Sequence, residues 1–273
     1  MMPIIKWAGS KRQLLPELSA RIPNTFGRYV EPFLGSAALF LELQPHQAIL
    51  NDFNPELINM YTCIRDCCDA TYNDLQNLQS EYNELSSQPE KEDFYYQKRE
   101  EFNQRMQNQP LGVRDASLFI FLNKTCYNGL YRVNTAGAFN TPSGKKHSVS
   151  ISSRTQFQRC SDALSNAIIL NGDFEIACQG LEAGDFVYFD SPYYDTFDTY
   201  QPGGFPEQDH LRLAELYHRL TDMGVHCLLS NSDTDYIKNL YHGSVIDIVP
   251  VKRMINCNGQ QRTGTEVIIR NYR

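Results

Sequence analysis

Two strand–turn–helix units follow one another near the start of the chain, and they restrict the fold more than any other pattern in it. Residues 28–43 (RYVEPFLGSAALFLEL) begin with a short β-like run, turn at Gly35 and continue as a helix-forming run. Residues 48–64 (AILNDFNPELINMYTCI) repeat this order, with Asp52 at the end of the apolar run. Consecutive units of this kind predict a parallel sheet covered by helices.

Strand-like runs return late in the chain, after a long polar stretch. Residues 66–109 are rich in Gln, Glu, Asn and Tyr, with apolar residues at helical spacing. The late apolar runs lie at residues 167–170, 186–189, 226–229, 245–249 and 266–270, and an amphipathic helix is predicted at 211–220. We therefore expect an α/β fold, with a core of residues 1–65 and 165–273 and an inserted, mostly helical domain of residues 66–164. The length of 273 residues fits a core domain with an insertion of this size.

The inserted stretch contains a long segment without acidic residues. Residues 116–161 contain no Asp or Glu and carry six Lys and Arg residues, although the whole chain has a formal charge of −7. Amides and aromatic rings are interleaved with these cations. Cations contact phosphates, amides read base edges and rings stack on bases, so the segment favours contact with nucleic acid. We expect its structure to be β-hairpin-like. The alternative is a solvated loop that lacks acids by chance.

Three strand ends carry candidate ligand-binding groups, and each also has a purely structural interpretation. Gly35 allows a close approach of a ligand to the backbone, or simply a tight turn. Asp52 suits the acceptor for ribose hydroxyls in a nucleotide-type fold, or a helix cap. Asp190, in the segment DSPY after the run FVYF, lies where α/β sheets bind ligands, or simply ends a strand in a β-turn.

Composition and spacing disfavour several other classes of protein. The eight cysteines and six histidines lack the spacing of a zinc site, so we expect no metal, and we expect free thiols because the compartment is expected to be reducing. The chain has neither a signal-peptide-like start nor an apolar run of about 20 residues, so we expect a cytoplasmic protein with no membrane span. A nicotinamide dehydrogenase is disfavoured because the first turn has one glycine and not the GxGxxG pattern.

A series of short motifs runs along almost the whole chain. They are KWAGSK at residues 6–11, EPFLG at 31–35, NDFN at 51–54, YYQKREEFN at 95–103, LNK and YNGLYRVN within 122–134, FNTP at 139–142, DSPY at 190–193 and LSNSD at 229–233. In this order they resemble the motifs of the Dam-like, D12-class DNA adenine methyltransferases. The resemblance implies a Rossmann-like core that uses S-adenosylmethionine to methylate the amine at position 6 of adenine in double-stranded DNA, after flipping the base out of the helix.

The resemblance also implies roles for individual residues. It places the catalytic segment at Asp190, Ser191, Pro192 and Tyr193. It assigns cofactor binding to Trp7, Lys11, Phe33, Gly35, Asp52, Asp173, Phe174 and Asp190. It assigns DNA binding to Lys6, Lys124, Tyr127, Asn128, Leu130, Arg132, Asn134, Pro142 and Lys145. We expect a monomer or a weak dimer, with a cognate restriction enzyme as a candidate partner.

Two positions depart from the pattern of the family. Ser191 stands where the catalytic segment usually has proline, and Ser36-Ala37 replaces the usual Gly-rich continuation of the cofactor loop. Serine keeps the backbone carbonyl that accepts a hydrogen bond from the target amine, but it does not fix φ as proline does. The leading hypothesis is an active methyltransferase, and the alternative is a DNA-binding relative that Ser191 has made weak or silent.

Overall fold

The structure is a computed structural model that describes residues 1–9, 11–107, 110–194, 204–252 and 263–273. Ser10 and Cys257, which the sequence analysis considered, lie outside the described residues. The strands are β1 (Tyr29–Glu31), β2 (Ala48–Asp52), β3 (Ala167–Asn171), β4 (Phe186–Phe189), β5 (His226–Ser232), β6 (Val245–Lys252) and β7 (Thr263–Arg270). The α-helices are α1 (Leu15–Ser19), α2 (Ala38–Leu43), α3 (Pro55–Asp66), α4 (Cys68–Glu84), α5 (Gln88–Met106), α6 (Val113–Thr125), α7 (Arg154–Leu164), α8 (Phe174–Ala177), α9 (Glu207–Asp222) and α10 (Asp235–Leu240).

All seven strands form one mixed sheet, which confirms the expected α/β fold. The strand order is β3-β2-β1-β4-β5-β7-β6. The first five strands in this order are parallel, whereas β7 is antiparallel to both of its neighbours. Only residues 253–262 separate β6 from β7, and a parallel connection needs a crossover of about a dozen residues or more. The sequence pattern predicted the strands but not this reversal.

The starts of α3 and α5 follow local sequence signals. The Asn54 side chain accepts a hydrogen bond from the Leu57 amide at 2.7 Å and caps α3, with Pro55 in the first turn. Ser87 and Glu90 form a capping box at the start of α5. The sequence predicted an apolar face of Leu75, Leu78, Tyr82 and Leu85. The first three are buried on α4, whereas Leu85 follows the helix and is half-buried.

Two hydrophobic clusters cover the two faces of the sheet. One contains side chains of the sheet such as Leu50 together with side chains of α6 such as Phe121. The other contains Val187 and Leu229 from the sheet with Tyr217 of α9. The helices of residues 66–164 therefore pack on the same core as β2 and α3, and the division into two domains at residues 65 and 165 stays a prediction.

The segment that follows α6 folds back on itself. Isolated antiparallel bridges join Cys126 to Ser143 and Val133 to Phe139. Asn103 of α5 binds this segment through two hydrogen bonds. Its side chain donates to the Phe139 carbonyl and accepts from the Phe139 amide. Among the helices of the described ranges, each is too short or too polar to cross a membrane.

Asp185 ties the amino ends of β4 and β1 together. Its carboxylate accepts hydrogen bonds from the backbone and the guanidinium of Arg28 and from the Glu182 amide. Burial alone would raise the pKa of this carboxyl, but these hydrogen bonds outweigh burial and hold the pKa below its ordinary value.

We expect Asp185→Asn to lower the free energy of unfolding by about 1–3 kcal/mol at pH 7. Because the pKa of Asp185 is lowered by folding, its contribution is present above the pKa of the unfolded state, about 4, and is lost as the pH falls through the folded pKa. Urea unfolding at pH 7 and at pH 3 measures the free energy of unfolding of the wild type and of Asp185→Asn. A difference between them that stays constant over this range would contradict the assignment.

Candidate active site

Acidic residues from neighbouring strands meet at one edge of the sheet. Glu31 and Asp52 end β1 and β2, Asp173 follows β3 closely, and Asp190 follows β4 directly. Since these strands are parallel, their carboxyl ends lie at the same edge, where α/β sheets bind ligands. The site predicted from separate motifs is therefore one region of the molecule.

Gly35 makes the first turn at this edge and packs against the N-terminal segment. Its φ is +48°, and a Cβ at this position would lie 3.0 Å from Cδ1 of Trp7. The Trp7 ring in turn stacks on Tyr131, with 5.4 Å between the ring centroids. Both the backbone conformation and the available space thus require glycine here.

Asp52 connects the ends of β1 and β2. Its carboxylate accepts hydrogen bonds from the Gly35 amide at 2.9 Å and from the Asn54 amide at 3.0 Å. Burial raises the pKa of Asp52 to about 6, although these backbone hydrogen bonds oppose the shift. The sequence was compatible with two roles for Asp52, an acceptor for ribose hydroxyls and a helix cap. In the structure the residue that caps α3 is Asn54.

Phe33 and Phe174 form an aromatic pair beside Asp52. Their rings stack with 5.4 Å between centroids, which joins the loop after β1 to the start of α8. Asp173 caps α8, accepting from the Glu175 amide at 3.0 Å, and also accepts from Arg212 at 3.0 Å. The Asp173 carboxylate thus accepts hydrogen bonds from a backbone amide and from a guanidinium. The hydrogen bonds from Gly35 and Asn54 to Asp52 both come from backbone amides.

Asp190 is paired with Lys11. Oδ1 of Asp190 lies 2.8 Å from Nζ of Lys11, which is only 8% exposed, and accepts a hydrogen bond from the Ser230 hydroxyl at 3.1 Å. Burial raises the pKa of Asp190, while Lys11 and Ser230 counteract part of this rise. The resemblance assigned both Lys11 and Asp190 to the cofactor, but it did not predict that they form an ion pair.

The residues that follow Asp190 form hydrogen bonds with side chains of β5 and β7. Ser191 accepts a hydrogen bond from the Asn231 side chain at 3.2 Å. The Tyr193 hydroxyl donates to Glu266 at 2.7 Å, and Nζ of Lys11 lies 4.3 Å from the centroid of the Tyr193 ring.

Four residues of this region were not predicted from the sequence to belong to the site. Ser230 and Asn231 lie in the quoted motif LSNSD at the end of a strand, which was a usable signal. Glu31 is 2% exposed, and burial raises its pKa well above the ordinary value even though the Tyr29 hydroxyl donates to it. Glu266 gave no signal, because its position depends on the antiparallel register of β7.

The residues assigned to DNA gather on and beside the segment that follows α6. Asn123 exchanges two hydrogen bonds with the backbone of Lys6 and thereby brings the N-terminal segment here. The side chains of this group that face solvent are Lys6, Tyr127, Asn128, Asn134, Pro142 and Lys145. Lys124, Leu130 and Arg132 are half-buried.

Several of these side chains already have partners within the chain. Arg132 donates to Asn140 at 2.7 Å, and Lys145 lies 3.5 Å from Glu92. Asn134 accepts hydrogen bonds from two amides of its own turn. Burial, and next the nearby Lys6, lower the pKa of Lys124. Tyr127 is a large aromatic side chain of this group and is 57% exposed.

The part of the chain that the structure describes contains no group of three His, Cys, Asp or Glu residues arranged to hold a metal ion. Cys63, Cys126, Cys160, Cys178 and Cys227 are buried free thiols, and burial raises the pKa of each.

Comparison with known proteins identifies the family. Residues 7–257 match the model of the D12 class N6 adenine-specific DNA methyltransferases. Type II methyltransferase M.MjaIII of Methanocaldococcus jannaschii is 39% identical over 99% of both chains. Type II methyltransferase M1.LlaDCHI of Lactococcus lactis is 34% identical over 100% of this chain and 96% of its own. The DNA adenine methylase of Escherichia coli K12 is 29% identical over 98% and 94%.

The comparisons thus define an adenine-specific DNA methyltransferase. The chain belongs to the D12 class N6 adenine-specific DNA methyltransferase family.

We expect Gly35→Ala to lower the free energy of unfolding by about 1–2 kcal/mol, because a Cβ is strained at this φ. It should also shift the emission of Trp7, which is the only tryptophan, because the added carbon meets its ring. The matched control is Gly180→Ala, which has a φ of +64° but no atom within 4 Å of the added Cβ. Equal emission shifts in the two variants would contradict the packing of Trp7 on Gly35.

Proposed function

We propose that the protein transfers a methyl group from S-adenosylmethionine to the amine at position 6 of an adenine extruded from double-stranded DNA. The observation that carries this proposal is the arrangement of Lys11, Asp190 and Tyr193. The Lys11 ammonium lies 2.8 Å from the Asp190 carboxylate and 4.3 Å from the centroid of the Tyr193 ring. An adenine stacked on Tyr193 would present its own amine to Asp190 in the same way, so its entry requires Lys11 to withdraw.

The chemistry requires activation of a weak nucleophile, because the lone pair of the adenine amine is delocalised into the ring. Hydrogen bonds accepted by the Asp190 carboxylate and the Ser191 carbonyl draw the amine toward a tetrahedral geometry, in which its lone pair points at the methyl donor. Positioning and electrostatics supply most of the acceleration. The Ser230 hydroxyl favours the charged form of Asp190, which is the stronger acceptor.

The same edge fits S-adenosylmethionine, which supplies an electrophilic methyl group on a sulfonium when bound. The missing side chain of Gly35 makes room for Trp7, which packs beside the turn. Asp52 would accept hydrogen bonds from the ribose hydroxyls. Phe33 and Phe174 would contact the adenine of the cofactor, with Asp173 next to them.

The exposed cations and rings after α6 support the DNA contact. We infer that Lys6, Lys124, Arg132 and Lys145 contact the duplex and that Tyr127 and Asn128 fill the gap left by the extruded base. Leu130, Asn134 and Pro142 complete this surface. The Type II names of two relatives support a role beside a restriction enzyme, and we expect the protein to act on DNA in the cytoplasm.

Transfer of a tritiated methyl group to adenine-containing duplex DNA tests the proposal. We expect Asp190→Asn to reduce kcat by at least about 100-fold, because the charged acceptor is lost. The control Asp222→Asn changes an exposed carboxylate at the end of α9 and should retain full activity. DNA binding by the wild-type chain without methylation would instead identify a silent relative.

The affinity for S-adenosylmethionine should fall as the pH drops below about 6. The pKa of Asp52 is raised to about 6, so acid protonates the carboxylate and weakens its acceptance of hydrogen bonds. We expect the affinity at pH 5 to be about tenfold lower than at pH 7.5, and Asp52→Asn to remove this dependence. Isothermal calorimetry measures both, and an unchanged pH dependence in the variant would exclude Asp52 from cofactor binding.

Tyr127→Ala should weaken base extrusion. We expect kcat/KM for duplex DNA to fall about tenfold, because a stacking ring is removed, while the affinity for S-adenosylmethionine is unchanged. The fluorescence of 2-aminopurine at the target position reports extrusion directly. The control Ile248→Ala removes a side chain of similar exposure on β6. Equal fluorescence in the wild type and Tyr127→Ala would refute this assignment.

A further inference from the structure

We propose that the Ser191 side chain, held by Asn231, anchors the catalytic segment in place of the proline that relatives carry there. This inference rests on the proposed function and concerns positioning of the same site. Ser191 is 2% exposed and Asn231 is 1% exposed. The Asn231 amide nitrogen donates to the Ser191 hydroxyl oxygen at 3.2 Å, so the hydroxyl is engaged inside the protein.

The other end of the Asn231 amide fixes its orientation. Its oxygen accepts hydrogen bonds from the Tyr194 amide at 3.1 Å and from the Ser232 amide at 2.8 Å. A flipped side chain would point its NH2 group at these two donors and its oxygen away from them. The nitrogen therefore faces Ser191, and a single side chain holds residues 191 and 194 at once.

The anchor is part of a wider attachment of the segment to the end of β5. Ser230 donates to the Asp190 carboxylate at 3.1 Å, and Ser232 donates to the Tyr194 carbonyl at 3.0 Å. Three consecutive residues of β5 thus contact the segment 190–194. Because β5 pairs with β4 in parallel register up to Leu229, the attachment starts from a fixed backbone.

Proline and this hydrogen bond restrain the segment in different ways. Proline locks φ covalently, whereas serine leaves φ free and needs an external contact to hold it. Ser191→Ala removes the contact and adds no restraint. Ser191→Pro removes the same contact but restores the lock on φ. Both variants remove the hydroxyl that accepts from Asn231. A difference in activity between them therefore measures the effect of restraining φ at residue 191.

Kinetics of methyl transfer separate a positioning role from simple binding. We expect kcat of Ser191→Ala to fall about tenfold, with KM for DNA and for S-adenosylmethionine within about twofold of wild type. Ser191→Pro should return kcat to within about threefold of wild type. The control Ser244→Ala removes a hydroxyl that accepts a hydrogen bond from Tyr217 and does not contact the segment 190–194, and it should keep wild-type kinetics. An unchanged kcat in Ser191→Ala, or equal losses in the alanine and proline variants, would overturn the proposal.

Hydrogen exchange tests the anchor without relying on activity. We expect amides of residues 190–194 to exchange at least about fivefold faster in Ser191→Ala than in wild type, and to return toward the wild-type rate in Ser191→Pro. Unchanged exchange in Ser191→Ala would overturn the anchor. If neither the wild type nor Ser191→Pro methylates DNA, the proposed function fails, and exchange alone decides on the anchor. Activity in Ser191→Pro with a silent wild type would show that the serine does not replace proline.

Discussion

The parallel alignment of five strands is the constraint on which the site depends. It brings the ends of β1, β2 and β4 to one edge of the sheet. Asp52 and Asp190 therefore lie in the same region, although they are 138 residues apart in the sequence. The turn at Gly35 links the first two strands, because its amide donates to Asp52. Any change that reversed one of these strands would remove its carboxylate from the site.

Contacts within the protein partly compensate the burial of carboxylates at this edge. Burial raises the pKa of both Asp52 and Asp190, and the chain opposes this rise with backbone amides at the first and with Lys11 and Ser230 at the second. Lys11 also lies over the Tyr193 ring, so one side chain contacts both Asp190 and Tyr193. The Lys11 cation thus offsets the cost of burying the Asp190 carboxylate, and in the proposed function the substrate adenine displaces it.

The sequence predicted the elements well, because apolar runs and turn residues depend on local pattern. All the expected strands are present, and the residues of the motifs at positions 31–35, 51–54 and 190–193 meet at one edge. Contacts between distant segments were not predictable. Glu266 reaches Tyr193 only because β7 is antiparallel to β5, and the Lys11–Asp190 pair joins the N-terminal segment to the loop after β4. No periodicity or motif spacing encodes either contact.

The most direct test of the account is a crystal structure of the protein with an adenine-containing duplex and a non-reactive analogue of S-adenosylmethionine. The proposed mechanism requires an extruded adenine on the Tyr193 ring, its amine within about 3.2 Å of an Asp190 carboxylate oxygen, and Lys11 withdrawn from that oxygen. An extruded adenine bound elsewhere, with Lys11 still paired to Asp190, would contradict it.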